Sequence, residues 1–158
     1  MNVFWEEFTL GLPDLRETAR VAIRLVAASV LGAIIGIQRE HAGKPAGLRT
    51  HMLVSLGAAL FVVVPLQVGM EFDELSRIIQ GLATGIGFIG GGAILKMSQT
   101  KEIQGLTTAA GIWLTSAVGV AVGLGGLGVA LISVLLAWII LSVLLRLEAH
   151  IDKGQPQK

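Results

Sequence analysis

Arg39, Glu40, Lys44 and Arg49 crowd into residues 38–51, the densest polar stretch of an otherwise mostly apolar sequence. Guanidinium, ammonium and carboxylate groups this close suit an ion-pair clamp between a loop and two helix ends, or a charged lip on a solute path. Gly43 and Gly47 permit tight turns here and Pro45 stiffens the path. The stretch also holds His41 and His51, ten positions apart, with one Glu nearby and no cysteine anywhere. That is a sparse set for zinc, and solvated loop histidines account for it more simply. Thr107 and Thr108 open a later apolar run, where a hydroxyl suits a helix N-terminal cap. With the four charged residues they form the candidate functional cluster. An ordinary basic loop that sets membrane orientation would carry the same charges, and pattern alone favours it.

Several chemistries are excluded at the outset. No histidine lies near a serine with an orienting acid, so hydrolysis has no apparatus and no enzyme is expected. Without cysteine there are no disulfides, no thiolate catalysis and no Cys-ligated zinc. The net charge is +1, which leaves no basic excess for nucleic acid. Gly85, Gly87 and Gly90 fit G-x-G-x-x-G, but a dinucleotide site needs a preceding strand and an acidic residue about 20 positions later. The motif lies inside an apolar run instead, and no cofactor is expected.

The elements that must position these residues are membrane helices. Of 158 residues, 53% are hydrophobic and 15% charged, against about 25% charged in a typical soluble domain. Five apolar runs, at about 21–37, 52–70, 78–95, 106–123 and 127–145, approach the roughly 20 residues that cross a bilayer. The reading is an all-α protein of five transmembrane helices. Leu124-Gly125-Gly126 forms a tight turn between the last two, and Pro65 kinks the second without breaking it. The first charges, Glu6 and Glu7, are acidic rather than the basic start of a secretory signal, so the first run is expected to stay as a span.

Basic residues sort by side. Arg39, Lys44, Arg49, Lys96, Lys101, Arg146, Lys153 and Lys158 fall on one side of a five-span layout, with Arg16, Arg20 and Arg77 on the other. The positive-inside rule then places the C-terminus in the cytoplasm and the N-terminus outside. Residues 1–20 form an extracytoplasmic segment, 21–145 the membrane domain and 146–158 a short cytoplasmic tail that is expected to fray.

Inside the spans, Arg24 is the single formal charge and no Asp or Glu occurs. Arg24 is expected to snorkel to the outer interface, with an inward-facing role as the alternative. The missing carboxylates weigh against a dehydrated Mg²⁺ path, because that ion takes hard oxygen ligands. Gly81, Gly85, Gly87, Gly90 and Gly91 crowd the third span. Small residues at four-residue spacing let helices approach closely, so these are the expected packing glycines. A broken helix exposing carbonyls to an ion is the alternative. Trp113 and Trp138 lie deep in their spans and are expected in packed interfaces.

Three ordered blocks resemble the membrane domain of the MgtC/SapB family. The first joins Gly32, Gly36, Gln38, Arg39 and Glu40 to Lys44-Pro-Ala-Gly-Leu-Arg-Thr-His-Met-Leu-Val54; the second is Gly85-Ile-Gly-Phe-Ile-Gly-Gly-Gly92; the third is Gly105-Leu-Thr-Thr-Ala-Ala110 with Trp113 and Gly119–Gly125. The resemblance implies a multi-pass bacterial inner-membrane protein linked to magnesium homeostasis and growth in low magnesium, in a family some of whose members are tied to virulence. It implies regulation of other membrane proteins, with direct Mg²⁺ transport as the alternative. A self-associating bundle without transport is a third, purely structural reading, and the expected partners are the lipid bilayer and either further copies of the chain or other membrane proteins. Mg²⁺ would be the regulated or transported ion. The sequence departs from the pattern in two places. Gln38 stands where the family often has Glu, and the soluble C-terminal domain of the best-known branch is not represented. Exposure separates the two functions. Arg39, Glu40, Arg49 and Thr107 converging on a hydrated cleft would favour transport; a closed polar clamp and packed glycine faces would favour regulation.

Overall fold

A computed structural model describes residues 14–96 and 104–152, with side chains for 14–94 and 104–142. Residues 1–13 of the expected extracytoplasmic segment, and Lys101, Lys153 and Lys158, used above to assign sides, lie outside the described residues. Five helices follow in order: α1 Leu15–His41, α2 Leu48–Gln67, α3 Phe72–Lys96, α4 Leu106–Gly123 and α5 Leu127–Asp152. Four of them, α1 to α4, are long and apolar enough to cross a membrane; the described apolar part of α5, Leu127–Ser142, is shorter. The helix of α5 continues to Asp152, through the first half of the expected tail.

Each helix starts and stops for a local reason. Asp14 caps α1, accepting from the Arg16 amide at 3.3 Å, and Glu17 pairs with Arg20 in the first turns. At the other end Gly43 takes φ 65°, which lets the Lys44 amide return to the Arg39 carbonyl at 3.0 Å. Pro65 sits in the last turn of α2, and the helix ends two residues later at Gln67. Gly125, at φ 91°, turns the chain between α4 and α5.

α4 is the central helix and packs against all four others, while α3 packs mainly on α4 and more lightly on α2. The buried positions of α1 are Ala28, Leu31, Gly32, Ile35, Gly36 and Arg39, one stripe at three- and four-residue steps. The matching stripe of α4 runs Thr108, Gly111, Ile112, Thr115, Ser116, Val118, Gly119, Val122 and Gly123. Between them lies α2. A Cβ on Gly32 would stand 2.9 Å from the Ser55 Cβ, and one on Gly36 would stand 2.7 Å from the Leu48 Cα. On the opposite side, a Cβ on Gly119 would collide with the Ser55 carbonyl, and one on Gly123 would lie 2.8 Å from the Val62 Cβ. Glycine on both neighbours therefore sets how deeply α2 is seated. The outer surfaces are apolar: Phe88 is 86% exposed and Leu53, Ile132 and Leu135 are exposed too, as suits helices facing lipid.

Candidate functional site

The buried stripe of α1 ends on a charge. Arg39 occupies the last turn and is fully buried. Its Nη2 donates to the Thr108 hydroxyl oxygen at 3.1 Å, while Nε and Nη1 have no partner. Among the described residues the ion pair is Glu17–Arg20, and Arg39 has no carboxylate against it. The carbonyl end of α1 offsets such a charge by about 0.3–2 kcal/mol. An unpaired buried ion costs several kcal/mol. The guanidinium is therefore under-compensated by the described residues around it, and it cannot neutralise itself by losing a proton.

A second buried polar pair lies about two helix turns further along α4. His51 on α2 and Thr115 on α4 are both fully buried, with Nδ1 2.7 Å from the hydroxyl oxygen. The Thr115 hydroxyl donates to the Gly111 carbonyl at 2.8 Å. That commits its hydrogen, so His51 Nδ1–H is the donor and Nε2 is left as a buried acceptor without a partner. Ser55, four residues on, is also fully buried and its hydroxyl is unpartnered. Arg39, Thr108, His51, Thr115 and Ser55 thus form a polar seam where α1, α2 and α4 meet.

The six cluster residues separate in space. Arg39 and Thr108 come together inside the bundle. Glu40 is exposed and clamps the start of α2, its Oε2 accepting from the Leu48 amide at 2.9 Å. Lys44, Arg49 and Thr107 are exposed and make no ion pair among the described residues. Neither threonine caps α4, whose N-cap is Gly105 at φ 93° with no side-chain hydrogen bond. The cluster does not line one hydrated cleft; Glu40 closes the loop while Arg39 is sealed beneath it.

Arg24 turns inward rather than snorkelling. Its Nη1 donates to the Gly123 carbonyl at 2.9 Å, placing a cation on the C-terminal end of α4. The glycines of α3 do not pack within the chain as expected. Gly81, Gly85, Gly87 and Gly91 would each meet nothing with an added Cβ, and Gly90 alone of the five lies against α4, at Ala109. Close approach is made by Gly32, Gly36, Gly119 and Gly123 instead. Trp113 and Trp138 are about half exposed, not enclosed in interfaces. No group of three His, Asp or Glu suited to a metal ion occurs among the described residues.

Sequence reasoning missed Ser55 and Thr115 as partners of the site and read His51 as a loop residue. The signal was there in the spacing. His51 and Ser55 are four apart on α2, and Thr108, Gly111 and Thr115 repeat at three and four on α4. Small polar residues in register with a buried apolar stripe mark a polar seam.

Residues 25–150, which hold the whole seam, match the sequence profile of the MgtC family. The chain belongs to that family. It is 42% identical over 139 residues to protein SrpB of Synechococcus elongatus, covering 81% of this chain and 76% of SrpB. It is 45% identical over 116 residues to YhiD of Escherichia coli K12, by name a candidate magnesium transporter, covering 68% of this chain and 53% of YhiD. Protein MgtC of Salmonella typhimurium is 40% identical over 103 residues, with 65% of this chain and 43% of that protein covered. The chain thus spans about half the length of YhiD and less of MgtC. No solved structure matches it. As a multi-pass membrane protein of the MgtC family, it carries Arg39, Glu40, Lys44, Arg49, Thr107 and Thr108 inside the matched region, with Arg24 one position before it.

Proposed function

We propose that this protein serves magnesium homeostasis and growth in low magnesium by binding and regulating other membrane proteins, rather than by conducting Mg²⁺ itself. The proposed setting is the bacterial inner membrane, with α5 completing a fifth span, the N-terminus outside and the 38–51 loop and C-terminus in the cytoplasm. The magnesium link rests on family membership and on the name of the relative YhiD.

The observation that carries the regulatory reading is the buried, carboxylate-free Arg39 at the seam of α1, α2 and α4. A divalent cation at roughly 8 Å from a guanidinium, with an effective dielectric of about 20, is repelled by about 4 kcal/mol. A path through this seam would therefore carry a barrier to Mg²⁺ and offer it no anionic ligand. The seam is also closed by helices that approach to glycine distance, and Glu40 spends its carboxylate on the loop. The open face of α3, with Gly81 and Gly85 exposed, leaves a membrane helix free to meet a partner.

Mg²⁺ flux into proteoliposomes holding only this protein tests the reading, beside an Arg39→Ala, Glu40→Ala control. The expected result is flux no greater than in protein-free vesicles, with the protein shown folded and inserted, while loss of the protein from cells impairs growth in low magnesium. Saturable flux that disappears in the control establishes transport and overturns the regulatory reading. Unimpaired growth removes the magnesium link.

A further inference from the structure

α3 is the least buried of the four long apolar helices, and its polarity runs against a lipid-facing role. Ile79, Leu82 and Ile86 face α4 across a crevice that Trp113 and Ser116 line from the other side. Asp73, Arg77, Gln80 and Thr84 follow one another at steps of four, three and four, so they share one face, and all four are exposed. The apolar side of α3 thus turns into the bundle and the polar side turns out. A helix bounded by lipid on its outer side carries the opposite arrangement, because hydrocarbon offers a polar side chain no partner.

Depth makes the conflict specific. Thr84 is the midpoint of the 25-residue helix, and Gln80 lies one turn, about 6 Å, from it. Thr84 spends its hydroxyl on the Gln80 carbonyl at 2.9 Å, whereas the Gln80 carboxamide and the Arg77 guanidinium have no partner among the described residues. Asp73, one turn before Arg77, is likewise outside any ion pair there. Gly81 and Gly85 run beside this stripe, and a Cβ added to either meets open space, so a second helix can come close. What covers the stripe must match it at its own depth. Two copies in one membrane, related by a two-fold axis, present the same residues at the same depth. A carboxamide is both donor and acceptor, so two Gln80 side chains satisfy each other. Asp73 of one copy and Arg77 of the other bring opposite charges to the same end of the pair.

We propose that the outer face of α3 is a self-association surface: two copies of this protein meet in the membrane along Asp73, Arg77, Gln80 and Thr84, with Gly81 and Gly85 giving close approach. The inference goes beyond the regulatory reading and stands or falls apart from it, since Mg²⁺ flux and pairing are measured separately.

The chain has no cysteine, so single cysteines report the face directly. Thr84→Cys lies on the stripe, and Ile132→Cys, exposed on α5, is the control. Each full-length variant is oxidised in cell membranes with a membrane-permeant oxidant. The expected product is a disulfide-linked pair of this chain from Thr84→Cys, formed about tenfold or more faster than from Ile132→Cys. In a second arm, donor- and acceptor-labelled copies are diluted with lipid in liposomes and energy transfer is followed. Gly81→Leu fills the groove while meeting open space within its own chain, and Gln80→Leu removes the carboxamide. Half-maximal transfer should need about tenfold more protein per lipid for Gly81→Leu, and about threefold to tenfold more for Gln80→Leu. Melting of each variant shows that it is folded; should Gly81→Leu fail, Gln80→Leu and the two cysteine variants decide. Thr84→Cys captured by a different protein, with no pair of this chain, assigns the face to another partner and overturns the proposal. Equal crosslinking of Thr84→Cys and Ile132→Cys, or transfer unchanged in folded Gly81→Leu and Gln80→Leu, overturns it too.

Discussion

His51 Nδ1 donates to the Thr115 hydroxyl at 2.7 Å, and Thr115 passes its own hydrogen to the Gly111 carbonyl at 2.8 Å. The relay ties α2 to the central helix α4 where neither side chain can reach water. Thr115→Val keeps the shape and removes the acceptor, leaving the imidazole N–H buried and unsatisfied. It should lower stability by about 1–3 kcal/mol. Thr115→Ser should recover most of the loss. Thermal unfolding in one detergent checks both, and a Thr115→Val protein as stable as wild type would show that the relay contributes nothing.

Glycine does two different jobs in this chain, and substitution separates them. Gly119→Ala drives a methyl into the Ser55 carbonyl, and Gly32→Ala drives one against the His51 carbonyl at 2.5 Å. Both collisions are with backbone, so α2 must shift, at a cost of roughly 1–3 kcal/mol or more. Gly81→Ala and Gly85→Ala meet open space. They should leave the isolated chain unchanged or raise its stability by up to about 1 kcal/mol, the helix-propensity gain of alanine. Melting temperatures of the four variants should fall into two groups. Equal losses in all four would place a hidden contact on α3.

The contrast also marks how far the sequence could be read. Apolar run length gave five helices in the observed order, because burial in lipid leaves few other solutions, but only α4 matches its run at both ends, and α1, α3 and α5 extend six or seven residues beyond theirs into polar sequence. The glycine-rich run on α3 looked like the packing face, yet composition cannot say which neighbour a helix face meets. The true contacts were spread over α1 and α4, two glycines on each, and became legible only once α2 was known to lie between them. Arg39 was picked out by charge and position, but its burial was not. Its neighbours Lys44 and Arg49 share its chemistry and point outward. What separates them is helical phase: Arg39 continues the stripe of Ala28, Gly32, Ile35 and Gly36, whereas Lys44 falls in the turn.

Arg24 ties the opposite end of the bundle. Its hydrogen bond to the Gly123 carbonyl places a cation where α4 exposes its last acceptors. Arg24→Gln retains a donor of shorter reach, and Arg24→Leu retains none. Losses of up to about 1 kcal/mol for the first and about 1–2 kcal/mol for the second are expected. Hydrogen exchange at the α4–α5 turn gives the local readout. Faster exchange there, with the Arg39 end unchanged, is the expected pattern; uniform change across the chain would deny Arg24 a local role.

Gln38 stands where the family resemblance leads one to expect an acidic residue, and its contact gives the departure a physical sense. Its amide Nε2 donates to the Leu141 carbonyl at 3.0 Å, joining α1 to α5. A carboxylate has no hydrogen to give. Gln38→Glu would set an anionic acceptor against a carbonyl acceptor in a half-buried place, so one of the two must move. α5 makes fewer alternative attachments than α2, since among the described residues it meets α1 and α4 alone. The substitution should therefore loosen α5 selectively, with faster exchange across Leu127–Ser142 and little change in α2. Gln38→Leu, which keeps bulk without charge, should be milder. If Gln38→Glu leaves α5 as protected as in the wild type, the family's acidic residue and this glutamine are interchangeable, and the hydrogen bond to Leu141 does not hold the helix.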